Sequence, residues 1–157
     1  MQTPTRIMPE LKNYLKGYFF VPENDLDHIA RLFKKEKLNA GEYFVKVGHY
    51  ADKLSFVNSG ILRIFLQTEN KEVTQWIATE GYFLADLRSL IFDQPARWFM
   101  QAETNVELFS ISKEDYKKLA TIIPASKSKV LIQFLKFTQN RMAIIRLLFK
   151  VLVLAQR

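Results

Sequence analysis

The chain has 157 residues, 48% of them hydrophobic and 25% charged, with 5 Gly, 5 Pro and no Cys. That length suits one domain of ordinary size, which buries about 68–70% of its unfolded surface and needs no disulfide or structural metal to stand. Zero Cys excludes disulfides, thiolate zinc sites, iron–sulfur clusters and Cys nucleophiles, and two His (His28 and His49) are too few for a multi-histidine centre.

Net charge is +7, from 23 basic and 16 acidic residues, and it is unevenly spread. The last acid is Asp115, and nine cations follow it unopposed, from Lys117 to Arg157, so residues 1–115 carry a net −2. The unopposed cations read as the solvated face of a helix whose other side packs. They do not interleave with aromatics or glycines as nucleic-acid readers do. The opening MQTPTRIMPELKNYL holds no apolar run of secretory length, so a cytoplasmic location is expected. The longest apolar stretch, Ile144–Ala155, is broken by Arg146 and Lys150 and falls short of the roughly 20 residues that span a bilayer, so no membrane partner is expected.

In chain order, Pro9–Phe20 reads as a short helix, with Leu11, Tyr14, Leu15 and Tyr18 at helical spacing. Asn24-Asp25-Leu26-Asp27 supplies capping residues for a second helix with the stripe Leu26, Ile29, Ala30, Phe33. From Lys35 the period changes to two. Six alternating runs are predicted as strands: Glu42–Val47, Leu54–Asn58, Ile61–Gln67, Glu72–Ala78, Arg97–Ala102 and Glu107–Ile111. Asn58-Ser59-Gly60 and Glu69-Asn70-Lys71 read as tight connections between neighbouring strands. Trp76, alternating within its strand, reads as core. Ser112 caps a helix that Pro124 ends.

Ser126–Arg157 is the longest predicted element. Leu131, Leu135, Thr138, Met142, Ile145, Phe149 and Leu152 form its seam, and further apolar residues widen it beyond one face. A second copy of the same helix is the simplest cover, so a homodimer is expected.

Three segments carry a family resemblance. Leu38-Asn39-Ala40-Gly41-Glu42-Tyr43 matches a turn into a first barrel hairpin. Asp52-Lys53-Leu54-Ser55-Phe56-Val57-Asn58-Ser59-Gly60-Ile61-Leu62-Arg63 matches a strand–Gly–strand hairpin. Ala102-Glu103-Thr104-Asn105-Val106-Glu107-Leu108-Phe109-Ser110-Ile111-Ser112 matches the last strands and a helix start. Together they resemble the cyclic-nucleotide-binding sensor half of the catabolite activator/fumarate–nitrate regulator family of bacterial transcription regulators. The resemblance implies a mainly β fold with flanking helices: an eight-strand double-stranded β-helix, or jelly roll, over residues 1–125, followed by a long dimerisation helix over 126–157. The family's helix-turn-helix is not expected here, so specific DNA binding is not expected either.

The resemblance also places a phosphate-binding cassette at Tyr82–Ala102. In the family a Gly-Glu pair opens a short helix there, the Glu takes the ribose hydroxyl, and an Arg on the next strand pairs with the cyclic phosphate. Here the frame reads Phe83, Leu84, Ala85, Asp86, Leu87, then Ala96, Arg97, Trp98. Ala85 stands in place of Gly, where a positive φ would be costly. Asp86 is one methylene shorter than Glu, and Ala96 takes the Arg position. One residue on, Arg97 is expected to point out of the barrel and Trp98 into it. Asp86 is expected to cap the short helix.

The reading is a non-catalytic, ligand-sensing regulatory domain with a degenerate cassette. A small effector, a cyclic nucleotide or another molecule, would sit between Phe83–Leu90 and the long helix, which offers Gln139 and Asn140. The alternative is a ligand-free interaction and dimerisation module. A cupin-like enzyme shares the short strands and Gly turns, but the chain has no His–X–His metal pair.

Overall fold

The computed structural model describes residues 11–13, 15–16 and 22–122. The seven predicted seam residues of the long helix and Asn140 lie outside the described residues.

Eight strands form two antiparallel four-stranded sheets. Strands β1 (Lys34–Leu38), β8 (Val106–Ser112), β3 (Lys53–Ser59) and β6 (Phe83–Leu84) lie in that order in one sheet. The other holds β2 (Tyr43–Val45), β7 (Phe99–Ala102), β4 (Leu62–Gln67) and β5 (Glu72–Ala78). Successive strands alternate between the sheets except for β4 and β5, which pair in one sheet, and this is jelly-roll topology. Helix α1 spans Glu23–Arg31, α2 spans Leu87–Phe92 and α3 spans Lys113–Ile122.

Two apolar clusters hold these layers. Inside the roll, Val57, Val106 and Leu108 from one sheet meet Leu62, Ile64, Met100 and Ala102 from the other. Along β3 and β8 the neighbouring residues point the opposite way, as a period of two requires. There Leu54, Phe56, Phe109 and Ile111 bury Leu11 and Leu15 together with Leu26, Ile29 and Phe33 of the α1 region. Strand β3 is therefore covered on both faces, and four consecutive residues, Leu54–Val57, are buried.

The six predicted strands all form. Two more were not predicted: β1, rich in lysine, and β6, two residues long. The Glu69-Asn70-Lys71 turn does join paired strands, with Thr68 N–H donating to the Lys71 carbonyl at 2.8 Å. Asn58-Ser59-Gly60 does not: β3 and β4 belong to different sheets, so this segment crosses the roll instead of closing a hairpin. Gly60 has φ +93°, and a Cβ there would lie 2.4 Å from the Asn105 carbonyl oxygen, so the crossing needs glycine. The capping expectation for α1 is also corrected. The helix starts at Glu23 behind Pro22, without a side-chain cap, and Asn24, Asp25 and Asp27 lie inside it. Glu23 and Asp25 still favour its first turn through the helix dipole.

Among the described residues no helix is long and apolar enough to cross a membrane.

Candidate functional site

The predicted cassette runs from β6 through α2 into β7. Phe83 and Leu84 pair with Phe56 and Ser55 of β3. Phe83 faces the helices and meets the Phe56 ring edge-on at 5.2 Å between centroids, while Leu84 faces the roll interior. Ala85 is buried in the helix-side core. Among the described non-glycine residues only Asp93 has a positive φ, so Ala85 sits in an ordinary backbone region and the expected strain does not arise.

Asp86, only 1% exposed, is the N-cap of α2, and its carboxylate accepts the Ser89 N–H at 3.0 Å. That bond occupies a donor at the start of the helix with the chain's own anion. Leu87 is the first helical residue. At the other end Asp93 closes the helix in the left-handed conformation, φ 51°. Lys113, at the start of α3, is buried; its ammonium donates to the Ser89 carbonyl at 2.9 Å and forms an ion pair with Asp93. The Lys113 ammonium, through its hydrogen bond and its charge, holds the Asp93 carboxyl below its ordinary value. Helix α2 is thus secured at both ends by side chains of this chain.

Arg88 is tied to the following loop: its guanidinium donates to Gln94 Oε1 at 2.6 Å, and Gln94 N–H returns a bond to the Arg88 carbonyl at 3.0 Å. Its Nε is buried without a hydrogen-bond partner. The loop then zips onto the β2–β3 loop, with Gly48 N–H donating to the Ala96 carbonyl at 2.9 Å and Ala96 N–H to that of His49 at 2.8 Å. Ala96 is buried, Arg97 is exposed and Trp98 packs against the roll-side core. His28 and His49 are both exposed.

The sequence profile of the cyclic nucleotide-binding domain matches residues 35–122, from the first strand to the end of α3. The chain belongs to this family.

Solved cyclic nucleotide-binding domains share the fold. One from Methylobacillus flagellatus is 17% identical with a TM-score of 0.75, over 90% of this chain and 82% of its own. The catabolite activator protein of Thermus thermophilus is 20% identical with a TM-score of 0.72, over 89% of this chain and 62% of its own. The regulatory domain of Toxoplasma gondii PKA, solved with cAMP, is 18% identical with a TM-score of 0.61, over 69% of this chain and 42% of its own. This chain thus spans less than two thirds of the length of the last two. No curated protein matches it in sequence.

Within this cyclic nucleotide-binding domain the structure brings Phe83, Leu84, Ala85, Asp86 and Leu87 together on one strand–helix unit, with Trp98 packed on the roll-side core and Arg97 exposed. One contributor, Lys113, went unnoticed in the sequence. Lys113 lies 20 residues beyond Asp93 and signals only as a cation in the first turn of a helix. Tyr82, the first residue of the predicted cassette, stands just before β6, and its ring meets Trp76 edge-on at 6.0 Å between centroids.

Proposed function

We propose that this chain is a non-catalytic, ligand-sensing regulatory domain of the kind found in catabolite activator/fumarate–nitrate regulators, whose cassette no longer grips a cyclic phosphate. One observation carries the reading: the cassette's Arg position holds a buried alanine, Ala96, while the adjacent Arg97 is solvent-exposed in the loop before β7. A phosphate brought to the cassette would meet the buried Asp86 carboxylate and no arginine from β7. In this proposal residues 1–125 are the sensor, and residues 126–157 form a helix that dimerises through Leu131, Leu135, Thr138, Met142, Ile145, Phe149 and Leu152. A small effector lies between Phe83–Leu90 and that helix, touching Asn140. The domain works in the cytoplasm, without specific DNA binding of its own.

A second reading, a ligand-free interaction and dimerisation module, draws support from the two-ended hold on α2. A helix fixed by Asp86 and Lys113 needs no ligand to order it.

Equilibrium dialysis of the full chain against labelled cyclic AMP and cyclic GMP tests the proposal. No retention is expected at nucleotide concentrations of about 10 µM, where a phosphate-gripping site would fill. Retention in that range, lost in Arg97→Ala, would mean that the phosphate is held after all.

A further inference from the structure

Among the described residues five large apolar side chains are exposed, and three of them, Val47, Tyr50 and Phe92, belong to one corner of the roll. Ile61 and Ile77 lie elsewhere, the first just before β4 and the second on β5. Val47 and Tyr50 sit in the loop between β2 and β3, and Phe92 is the last residue of α2. Two ties hold these segments together. Gly48 and His49 share a pair of hydrogen bonds with Ala96, in the loop that follows Phe92. Lys113 joins the same segments again: its backbone N–H donates to the Asp52 carbonyl at 2.9 Å, while its ammonium pairs with Asp93. Tyr50 and Phe92 are each 56% exposed and Val47 42%, so the apolar area faces water from a fixed frame. An apolar area of this kind with a polar rim marks contact with another molecule.

Charge selects the partner. Lys46 and Arg97 are exposed, each within two residues of the Gly48–Ala96 bond, and neither forms an ion pair among the described residues. Lys117 adds a third cation, near enough to act on the Asp93 carboxyl. It shares one face of α3 with Lys113, four residues earlier, whereas Glu114 lies off that face. Of the two carboxylates on the joined segments, Asp93 is taken by Lys113, which leaves Asp52. The corner therefore offers apolar side chains within an excess of positive charge.

We infer that Val47, Tyr50 and Phe92, with Lys46, Arg97 and Lys117 around them, form a docking surface for an acidic amphipathic segment of a partner protein. The segment's apolar side chains cover the two rings, and its carboxylates meet the cations. Aromatic and arginine side chains carry most of the energy at such contacts. The inference goes beyond the sensor reading and holds whether or not the cassette takes an effector.

Fluorescence anisotropy of a labelled peptide built of Glu-Glu-Leu-Phe repeats, titrated with the full chain, tests it. Saturable binding is expected, and a peptide with Lys in place of every Glu should bind at least about tenfold more weakly. The unopposed cations beyond Asp115 offer the acidic peptide another place to bind, so variants decide. Tyr50→Ser and Phe92→Ser should each weaken binding about tenfold, and Arg97→Glu about as much. These side chains are exposed, so the variants should melt with the parent; if one melts lower, Val47→Ser takes its place with the same expected loss. No saturable binding, or equal binding by the parent, Tyr50→Ser and Phe92→Ser, would overturn the docking surface and leave the cassette reading untouched. Sedimentation of the chain with phosphatidylserine vesicles, lost in the same two variants and without peptide binding, would overturn it in favour of a lipid surface.

Discussion

A single-residue offset separates Ala96 from Arg97, and it decides what the cassette can hold. Strand alternation was the expectation, but both residues lie in the loop before β7, so the burial of Ala96 and the exposure of Arg97 are set by how that loop packs and not by the pleat of a strand. Asp86 was legible, because a short polar side chain before a short apolar run is a helix cap. Asp86→Ala removes that cap, and the midpoint of urea unfolding should fall by the equivalent of about 1 kcal/mol. The strain expected at Ala85 was not realised, since the local backbone adopts an ordinary φ, an adjustment no residue type reveals. Tyr116 was illegible for a similar reason, because its burial is tertiary. Desolvation pushes its phenol up to about 12, from an ordinary 10.0, and the hydroxyl is buried without a partner. The folded state holds this proton more tightly than the unfolded state, so stability is untouched below the ordinary value and falls as pH climbs from there. Chemical denaturation should show the parent losing ~1 kcal/mol more than Tyr116→Phe between neutrality and about pH 11. Equal losses in the two proteins would refute the burial argument.

Among elements, periodicity revealed the strands that alternate and missed those that do not. Strand β1 reads Lys-Lys-Glu-Lys-Leu and lies at a sheet edge, where charged residues discourage pairing with other chains and erase the apolar signal. Strand β6 has two residues, too few for any period. At Asn58-Ser59-Gly60 turn chemistry was recognised but its topology was not: whether a turn stays within one sheet depends on what packs opposite, here the Asn105 carbonyl. Gly60→Ala would drive a methyl group into that carbonyl at a positive φ, and a loss of about 2–3 kcal/mol is expected in denaturant unfolding. Sheet edges are also fastened by charge. Arg63 reaches Glu72 at 2.6 Å and Glu103 at 2.8 Å while its guanidinium lies 4.0 Å from the Phe65 ring centre. Arg63→Ala should cost about 1 kcal/mol, more than an isolated surface pair, because two carboxylates and a ring share one cation.

Lys113 joins two elements, tying α2 to the start of α3. Lys113→Met should destabilise by about 1–2 kcal/mol at neutral pH, chiefly through the Ser89 carbonyl left without its donor. Asp93 supplies the pH dependence. Its carboxyl is depressed by Lys113, so its contribution is complete above the ordinary carboxylate value and is lost as pH falls through the lower, folded one. The gap between parent and Lys113→Met should therefore narrow in acid, which urea melts across the carboxylate range would show. A gap that widens would assign the pair the wrong sign.

At the scale of the whole molecule, composition and turn spacing foretold a mainly β roll, and the two four-stranded sheets realise it. The proposed dimer is a whole-molecule claim as well, argued from apolar residues spread too widely around the predicted terminal helix for one surface to cover. Ile145→Glu places a charge in that seam and should shift the chain from dimer to monomer in size-exclusion chromatography with light scattering. Unchanged elution would place the interface elsewhere. The central claim, however, concerns a phosphate. Phosphorus NMR of cyclic AMP tests it most directly, because the single phosphorus atom reports only whether that group is gripped. With the full chain added in stoichiometric amounts, the resonance should keep its free chemical shift and narrow line. A displaced or broadened resonance that returns to its free position in Arg97→Ala would contradict the account.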